Sequence, residues 1–147
     1  MILLDTNVIS EPLKPRPDAA VLAWIDAQPV ETLHICTISL AELRFGAAIM
    51  PEGKRKRGLH QRIEDHIVPI FEGRILAFDA EPASVYAPLR ARARAAGKAI
   101  DAVDAYIAAI AFAHGFSVAT RDVAPFQATG LNVINPWETG RAPNANC

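Results

Sequence analysis

This chain of 147 residues has few cysteines, almost no net charge and no long apolar runs, and each of these shortages excludes a class of protein. The two cysteines, Cys36 in an apolar stretch and Cys147 at the last position, form neither a disulfide framework nor a metal-binding spacing. No apolar run approaches the roughly 20 residues of a membrane span, and the N-terminus lacks the pattern of a secretory signal. We therefore expect a protein of the reducing cytoplasm that is neither secreted nor embedded in a membrane.

The charges nearly cancel. Lys and Arg number 15 against 16 Asp and Glu, for a net charge of −1, so an anionic partner would have to meet a local basic patch. Apolar residues, by contrast, are abundant at 51%, enough for the core of one domain in a chain too short for two ordinary ones. We expect a single domain over residues 1–137 and a polar, flexible tail over residues 138–147.

Short β-rich runs alternate along the chain with longer segments of helical period. The predicted strands are residues 2–4, 33–37, 75–78, 116–119 and 131–134. The predicted helices are residues 18–27, a helix from Ser39, a helix from about Lys56, a helix from Asp79 to Gly97, and a helix from Asp101 to Gly115. Strands joined by helical crossovers pair in parallel, so the fold class is predicted to be three-layer α/β, with a mostly parallel central sheet flanked by helices.

Polar residues follow directly where the first predicted strand ends: Asp5, Thr6 and Asn7 come straight after Leu4. The carboxyl end of a central parallel strand is where open α/β sheets bind their ligands. Three further acids follow strand ends or open helices at the same predicted edge, and they are Glu42, Asp104 and Asp122. Four neighbouring carboxylates repel one another unless a divalent cation neutralises them, and oxygen ligands without His or Cys suit Mg²⁺ or Mn²⁺ rather than zinc.

Each of these acids also has a purely local interpretation. Ser39-x-x-Glu42 has the spacing of a capping box, and Asp101 is placed to cap the helix that carries the third acid. The acids after the first and fourth strands could close local turns. These interpretations do not require all four acids to share one edge of the sheet, whereas a metal site does. For Asp101 itself, we predict a capping role.

Four segments, in order along the chain, resemble the PIN domain, specifically the VapC-type toxins of bacterial toxin–antitoxin pairs. They are LLDTNVISEP from residue 3, SLAEL from residue 39, DAYIAA from residue 104 and VATRD from residue 118. Together with GRIL at residues 73–76 and NPW at residues 135–137, they look closest to the FitB-like branch. The resemblance covers nearly the whole chain. It implies a three-layer PIN-like fold and the toxin component of a type II toxin–antitoxin system.

The resemblance also implies an activity, that of a magnesium-dependent or manganese-dependent endoribonuclease whose catalytic acids are Asp5, Glu42, Asp104 and Asp122. A cation held there would neutralise the phosphodiester, lower the pKa of a bound water and stabilise the leaving oxygen. We assign the metal directly to Asp5 and Asp104, with the other two acids acting through water or a second ion. Four polar side chains are candidates for orienting the carboxylates, although local turn and cap bonding accounts for them equally well: Thr6, Asn7, Ser39 and Thr120.

Cations that could hold RNA occur in three places. Arg121, inside the last motif, is the best candidate. The second place is the run Lys54, Arg55, Lys56, Arg57, and the third is the predicted helix after Asp79 with Arg90, Arg92, Arg94 and Lys98 beyond it. For the second and third groups, a solvated helix face is the preferred interpretation.

The partners implied by the resemblance are an RNA substrate, a second copy of the chain in a homodimer, and a small antitoxin. Such an antitoxin covers the active site with its C-terminal segment and binds operator DNA with its N-terminal part, within a larger toxin–antitoxin complex. The main alternative is a non-catalytic PIN-like module that binds RNA or protein and acts with the antitoxin in DNA-bound transcriptional autoregulation. A response-regulator receiver would need a Lys where Arg121 stands, and a haloacid dehalogenase phosphatase would need an acid at Asn7.

Overall fold

The computed structural model describes residues 1–140, and its five strands lie in one sheet. They are β1 (Ile2–Leu4), β2 (Leu33–Cys36), β3 (Ile75–Leu76), β4 (Ser117–Ala119) and β5 (Val133–Ile134). The strand order is β3-β2-β1-β4-β5, and each of these neighbouring pairs is parallel. The predicted parallel sheet is therefore confirmed, and the carboxyl ends of all five strands lie at one edge.

Helices connect the strands and cover both faces of the sheet. Their bounds are α1 (Thr6–Ser10), α2 (Ala19–Ala27), α3 (Thr37–Ala48), α4 (Lys54–Arg62), α5 (Val68–Ile70), α6 (Ala80–Ala95), α7 (Ala102–His114) and α8 (Val123–Gln127). Residues Glu11–Leu13 and Val30–Thr32 are 3₁₀ turns, and a π-helical turn over Ile63–Ile67 joins α4 to α5. As far as the structure describes the chain, no helix combines the length and the apolar character needed to cross a bilayer.

The core has two halves because successive side chains of a strand point to opposite faces of the sheet. Leu3 of β1 is fully buried among residues of α6 and α7, whereas its neighbour Leu4 is buried among residues of α1, α3 and the segment after α4. An Ala-rich stretch of α7, Ala105–Ala111, packs against the first face. The result is the predicted three-layer α/β architecture, with β1 in the middle of the central layer.

Helix α3 begins two residues earlier than predicted. Its N-cap is Cys36, whose sulfur accepts a hydrogen bond from the Ser39 amide at 3.5 Å. The capping box that was the local alternative for Ser39 and Glu42 is therefore not formed, because Ser39 already lies inside the helix. A thiol is a weak acceptor, so the sequence carries no usual capping signal at this position.

Several other bounds differ from the predictions. Helices α1 and α8 were not predicted, because five residues are too few to show a helical period. Helix α4 begins at Lys54 rather than Lys56, and β3 ends at Leu76 rather than Phe78. The domain boundary at residue 137 stays a prediction. Residues 141–147, most of the predicted tail, lie outside the described residues.

Candidate functional site

Asp5 lies where the central strand ends. Its amide donates to the carbonyl of Ala119 at 2.9 Å, and its side chain caps α1. The two carboxylate oxygens have separate donors: Oδ1 accepts from the Thr6 amide at 2.7 Å, and Oδ2 accepts from the Thr120 hydroxyl at 2.7 Å. Only 4% of Asp5 is exposed. Asp5 therefore has its predicted local role as a cap and also lies at the predicted edge of the sheet.

The loop after β4 is tied to α1 through Thr120 and Asn7. The Thr120 hydroxyl oxygen accepts from the Asp122 amide at 3.0 Å and from Asn7 Nδ2 at 3.4 Å. Asn7 Oδ1 in turn accepts from the Arg121 amide at 3.4 Å. Because the Thr120 hydroxyl makes this turn, the exposed Asp122 side chain makes no cap bond to α8, and it remains available to an external group.

Glu42, in the second turn of α3, is linked to the strand end by a hydroxyl. Thr6 Oγ1 donates to Glu42 Oε1 at 2.6 Å. The fully buried Ser39 differs, because in the described part of the chain its hydroxyl bonds with the Cys36 thiol at 3.5 Å and not with a carboxylate of the cluster. Of the predicted orienting residues, the structure therefore places Thr6 and Thr120 directly on predicted catalytic acids.

Asp104 lies in the first turn of α7, and Asp101 is the N-cap of that helix. The Asp101 carboxylate accepts from the Asp104 amide at 2.9 Å, which confirms the predicted capping role. The same position brings a fifth negative charge beside Asp104.

The pKa of Asp5 responds to the charges of other acids in the cluster. The pKa of Asp5 is raised to about 6: burial raises it most, the hydrogen bonds from Thr120 and Thr6 lower it in part, and the charges of Glu42 and Asp122 also raise it. The carboxylate is thus held by hydrogen bonds but has negative neighbours.

Asp104 responds more strongly to the same surroundings. Its pKa is raised to about 7, first by burial and then by the charges of Asp5, Asp101, Asp122 and Glu42. All four acids predicted from the sequence, and Asp101 with them, therefore lie within electrostatic reach of one another. Across residues 1–140, none of these five takes part in a salt bridge.

The carboxylate oxygens of this cluster are of the type that binds a hard divalent cation, although the side chains do not converge on one point. Within the described residues, no three His, Cys, Asp or Glu side chains are close enough together to enclose a metal ion. The raised pKa values of Asp5 and Asp104 nevertheless show a concentration of negative charge without protein counter-charge. Carboxylate oxygens of this kind are the ligands that Mg²⁺ and Mn²⁺ take, usually with several waters retained.

The predicted RNA-binding cations lie around the cluster at different distances. Arg121 is exposed, with its guanidinium carbon 5.3 Å from the centre of the Trp137 ring. In the run of four, Lys56 pairs with Glu52 at 2.6 Å, while Arg55 lines a cavity that Glu42 also lines. Arg121 therefore adjoins Asp122 along the chain, and Arg55 shares a cavity with Glu42.

One aromatic feature had no role in the sequence analysis. The rings of Tyr86 and Tyr106 stack at 4.8 Å, and Tyr106 comes two residues after Asp104 on α7. Arg90 Nη1 donates to the Tyr86 hydroxyl at 2.8 Å. The four-residue spacing of Tyr86 and Arg90 on a predicted helix was the available signal for this pair.

Comparison with known proteins finds the PIN domain family, whose model matches residues 2–130. Three similar relatives are the plasmid stability protein StbB of Pseudomonas syringae pv. tomato (59% identical), the VapC ribonuclease Y4jK of Sinorhizobium fredii (57%) and the toxin FitB of Neisseria gonorrhoeae (51%). The matches cover 94%, 94% and 93% of this chain, respectively, and 99% of each relative.

Solved structures agree with this assignment. The crystal structure of FitAcB from Neisseria gonorrhoeae matches with a TM-score of 0.90 at 51% identity, over 93% of this chain and 99% of that one. A structure of FitAB bound to an IR36 DNA fragment matches with a TM-score of 0.90 at 50% identity, over 93% and 96%. The chain therefore belongs to the PIN domain family, in the branch of the VapC and FitB toxins.

Proposed function

We propose that this chain is the toxin of a type II toxin–antitoxin pair and that it cleaves RNA as a Mg²⁺-dependent endoribonuclease, with Mn²⁺ able to substitute. The observation that carries the proposal is Asp5, a carboxylate only 4% exposed, with a pKa raised to about 6 and surrounded by further acids. Such a group favours a cation from solution, because the described part of the protein supplies none. The names of two relatives, a VapC ribonuclease and the toxin FitB, support the same activity.

Asp5 and Asp104 would hold the metal, and Glu42 and Asp122 would complete the anionic surroundings directly or through water. A bound divalent cation neutralises the phosphodiester and lowers the pKa of a water that attacks the phosphorus. The raised pKa values mean that, without metal, about half of Asp104 and about a tenth of Asp5 are protonated near neutral pH. Metal binding would therefore release protons.

The chain's own hydroxyl groups would position these acids. Thr120 fixes Asp5 Oδ2 at 2.7 Å, and Thr6 fixes Glu42 Oε1 at 2.6 Å. Partners of this kind orient carboxylate ligands and typically change metal affinity or activity by about 10–100-fold when they are removed. Asn7, bonded to Thr120 and to the amide of Arg121, would hold the loop that carries Asp122.

RNA would be held by cations at the margin of the acidic cluster. We assign a phosphate contact to Arg121, because it is exposed and its guanidinium lies over the Trp137 ring. That contact reduces the conformational freedom the side chain would lose on binding. Arg55 is a second candidate, because it shares a cavity with Glu42, whereas Lys54, Lys56 and Arg57 on the same helix do not line that cavity.

The same cavity, of about 340 Å³, is our candidate for contact with an antitoxin. Leu43, Met50 and Leu59 line it, Glu42 lies at its side, and Phe45 on the same helix α3 is 64% exposed. An apolar segment ending in an Arg or Lys would fill the cavity and pair with the acids, which blocks the site for both metal and RNA. We further propose a homodimer that joins a DNA-binding antitoxin in a larger cytoplasmic complex, in line with the DNA-bound FitAB structure.

The activity is tested by cleavage of labelled RNAs by the purified, antitoxin-free protein in Mg²⁺ or Mn²⁺, with and without EDTA. The variant Asp5→Asn keeps the side-chain shape and removes one charge. Its matched control is Asp79→Asn, which removes the same charge from the exposed N-cap position of α6, where the side chain makes no cap bond. We expect cleavage by wild type and Asp79→Asn only, and none in EDTA. The same trace activity in all three proteins, or folded proteins that cleave no RNA, would contradict the catalytic role of these acids and favour the non-catalytic module.

The antitoxin site is tested by filling the cavity. Gly46 lines it, and a Cβ added there meets no atom within 4 Å, so Gly46→Leu introduces apolar bulk into the cavity without adding a charge beside Glu42. We expect loss of antitoxin binding with RNA cleavage retained. The control is Ala48→Leu, an exposed position two residues farther along α3 and hence on another side of the helix. Equal antitoxin affinity of the two variants would exclude this cavity as the contact.

A further inference from the structure

A second cavity, of about 610 Å³, lies between α6 and the segment that leads into α7. Tyr86, Arg90 and Arg94 line it from α6, and Ile100 lines it from the other side. A volume of this size can hold a small ligand. Because Ile100 directly precedes Asp101, whose charge raises the pKa of Asp104, the groove adjoins the acidic cluster.

The charge in this groove is opposite to that of the neighbouring cluster. Arg90 and Arg94 are four residues apart and so project from one side of α6. Both are exposed, no acid lines the groove, and within the described residues neither arginine forms a salt bridge. A pair of cations without acidic partners is a suitable site for phosphate groups.

An aromatic stack supports one of the two cations. Arg90 Nη1 donates to the Tyr86 hydroxyl at 2.8 Å, and its guanidinium carbon is 5.9 Å from the centre of the Tyr86 ring. Tyr86 stacks on Tyr106, and the edge of Phe78 packs against both rings. The guanidinium uses one of its five N–H groups in this contact, so the others remain to bind a phosphate.

We propose that this groove binds the single-stranded RNA next to the bond that is cut, with Arg90 and Arg94 on its phosphates and the Arg90–Tyr86 pair against a base. The proposal rests on the ribonuclease function proposed above. A cluster of five acids repels RNA, so affinity must come from nearby cations. Arginine planes and aromatic rings are the groups on which unpaired RNA bases stack.

The test measures RNA binding separately from cleavage, by fluorescence anisotropy of a labelled single-stranded RNA in EDTA at several salt concentrations. Arg90→Gln and Arg94→Gln each remove one charge from the groove. Arg92→Gln removes one charge from the same helix, where the guanidinium lies beside Gly130 and outside the groove. We expect the two groove variants to bind more weakly and to lose about 0.7 from the slope of log affinity against log salt. Arg92→Gln should keep the wild-type slope.

A fourth variant tests the aromatic contribution. Tyr86→Leu removes the ring and keeps the charge, so we expect RNA affinity to fall by about tenfold with an unchanged salt slope, in the range of one lost base stack. Equal behaviour of Arg90→Gln, Arg94→Gln and Arg92→Gln would overturn the proposal. So would an unchanged RNA affinity accompanied by a changed molecular mass or antitoxin affinity, because the groove would then be a protein interface.

The outcomes also separate this subsite from the ribonuclease itself. If wild type cleaves RNA and the groove variants bind RNA like Arg92→Gln, the subsite is wrong and the ribonuclease stands. If wild type binds RNA with the predicted dependence on the groove but cleaves none, the catalytic proposal fails and the RNA-binding groove stands.

Discussion

Two carboxylates at opposite ends of α1 are equally buried and electrostatically opposite. Asp5, before the helix, and Glu11, after it, are each 4% exposed. Burial raises the pKa of Asp5 to about 6. Burial acts on Glu11 in the same direction, but the hydrogen bond and charge of Lys14, 2.7 Å away, and the Asp18 amide at 2.9 Å outweigh it and lower the pKa.

Burial alone does not distinguish a structural carboxylate from a functional one. The presence or absence of a counter-charge within the chain distinguishes them better. Glu11 has its counter-charge within the chain, so its charge holds the segment after α1 in place. Asp5 has hydrogen-bond donors, but the charges that act on it are those of other acids, so within the described residues it has no salt-bridge partner. Buried carboxylates of the second kind mark candidate functional sites.

The largest expected effect comes from neutralising each acid in turn. Asp5→Asn should abolish RNA cleavage and leave the melting temperature unchanged or higher, because it removes an unfavourable buried charge. Glu11→Gln should retain cleavage by the folded protein and cost about 2 kcal/mol, or roughly 4–8 °C in melting temperature, because it removes the charge that accepts from the Asp18 amide and pairs with the half-exposed Lys14. Calorimetry and RNA cleavage on both variants check this. The comparison would be reversed if Asp5→Asn were strongly destabilised and Glu11→Gln kept the full stability of the wild type.

The second prediction concerns pH. The folded pKa of Asp5 (about 6) and that of Asp104 (about 7) exceed the unfolded value of 3.8, so the folded state binds more protons than the unfolded state over this interval. Stability of the metal-free protein should therefore fall as pH rises from 5 to 8, by on the order of 1 kcal/mol for Asp5. Glu11, whose pKa is lowered, acts in the opposite direction and loses its contribution below its unfolded pKa of 4.5.

Melting curves at several pH values measure this slope. Asp5→Asn should flatten it, and Mg²⁺ should flatten it in the wild type, because the cation stabilises the ionised carboxylates. An unchanged slope in both cases would contradict an electrostatic role for Asp5 and would disfavour metal binding at this cluster.

A third prediction compares two buried threonines. Thr120→Val removes the bond to Asp5 Oδ2, so we expect RNA cleavage to fall by about 10–100-fold and the pKa of Asp5 to rise further. Thr129, also buried, donates to the Phe126 carbonyl at 2.5 Å, away from the acids. Thr129→Val should cost about 1 kcal/mol of stability and leave cleavage unchanged. Similar cleavage by the two variants would show that Thr120 does not position Asp5.

The smallest expected effect comes from Lys14→Met, which makes Glu11 resemble Asp5. Lys14 is about half exposed, so the loss should be only about 1 kcal/mol at pH 7. The pKa of Glu11 should rise, and the stability difference from wild type should vanish at low pH, where Glu11 is protonated. Titration of Glu11 by NMR measures the pKa directly. A pKa that stays low would mean that the Asp18 amide alone stabilises the charge.

The fold was predictable from the sequence because it depends on the alternation of strands and helices along the chain. Apolar strands separated by helical segments are visible in order, and parallel pairing then places Asp5, Asp104 and their companions at one edge. Contacts that depend on the approach of distant segments were not predictable. The bond from Thr6 to Glu42 spans 36 positions, and no local pattern announces it.

The spacing of polar residues in the sequence was misleading where the same spacing fitted both a helix cap and a metal site. Ser39 and Glu42 match a capping box, yet the helix begins at Thr37 because Cys36 occupies the cap. Asp101 and Asp104 have the same spacing, and there the cap is present. The spacing of polar residues alone could not tell these cases apart, because the start of a helix depends on how the preceding strand packs.

The position of β1 in the middle of the sheet also determines when the acidic cluster can form during synthesis of the chain. Asp5 and Thr120 are 115 positions apart, so the carboxylate acquires its partner only when most of the chain has been translated. At about 5–20 residues per second, that interval lasts on the order of ten seconds. A truncated translation product that ends before β4 lacks both Thr120 and Asp122 and therefore cannot form the complete acidic cluster.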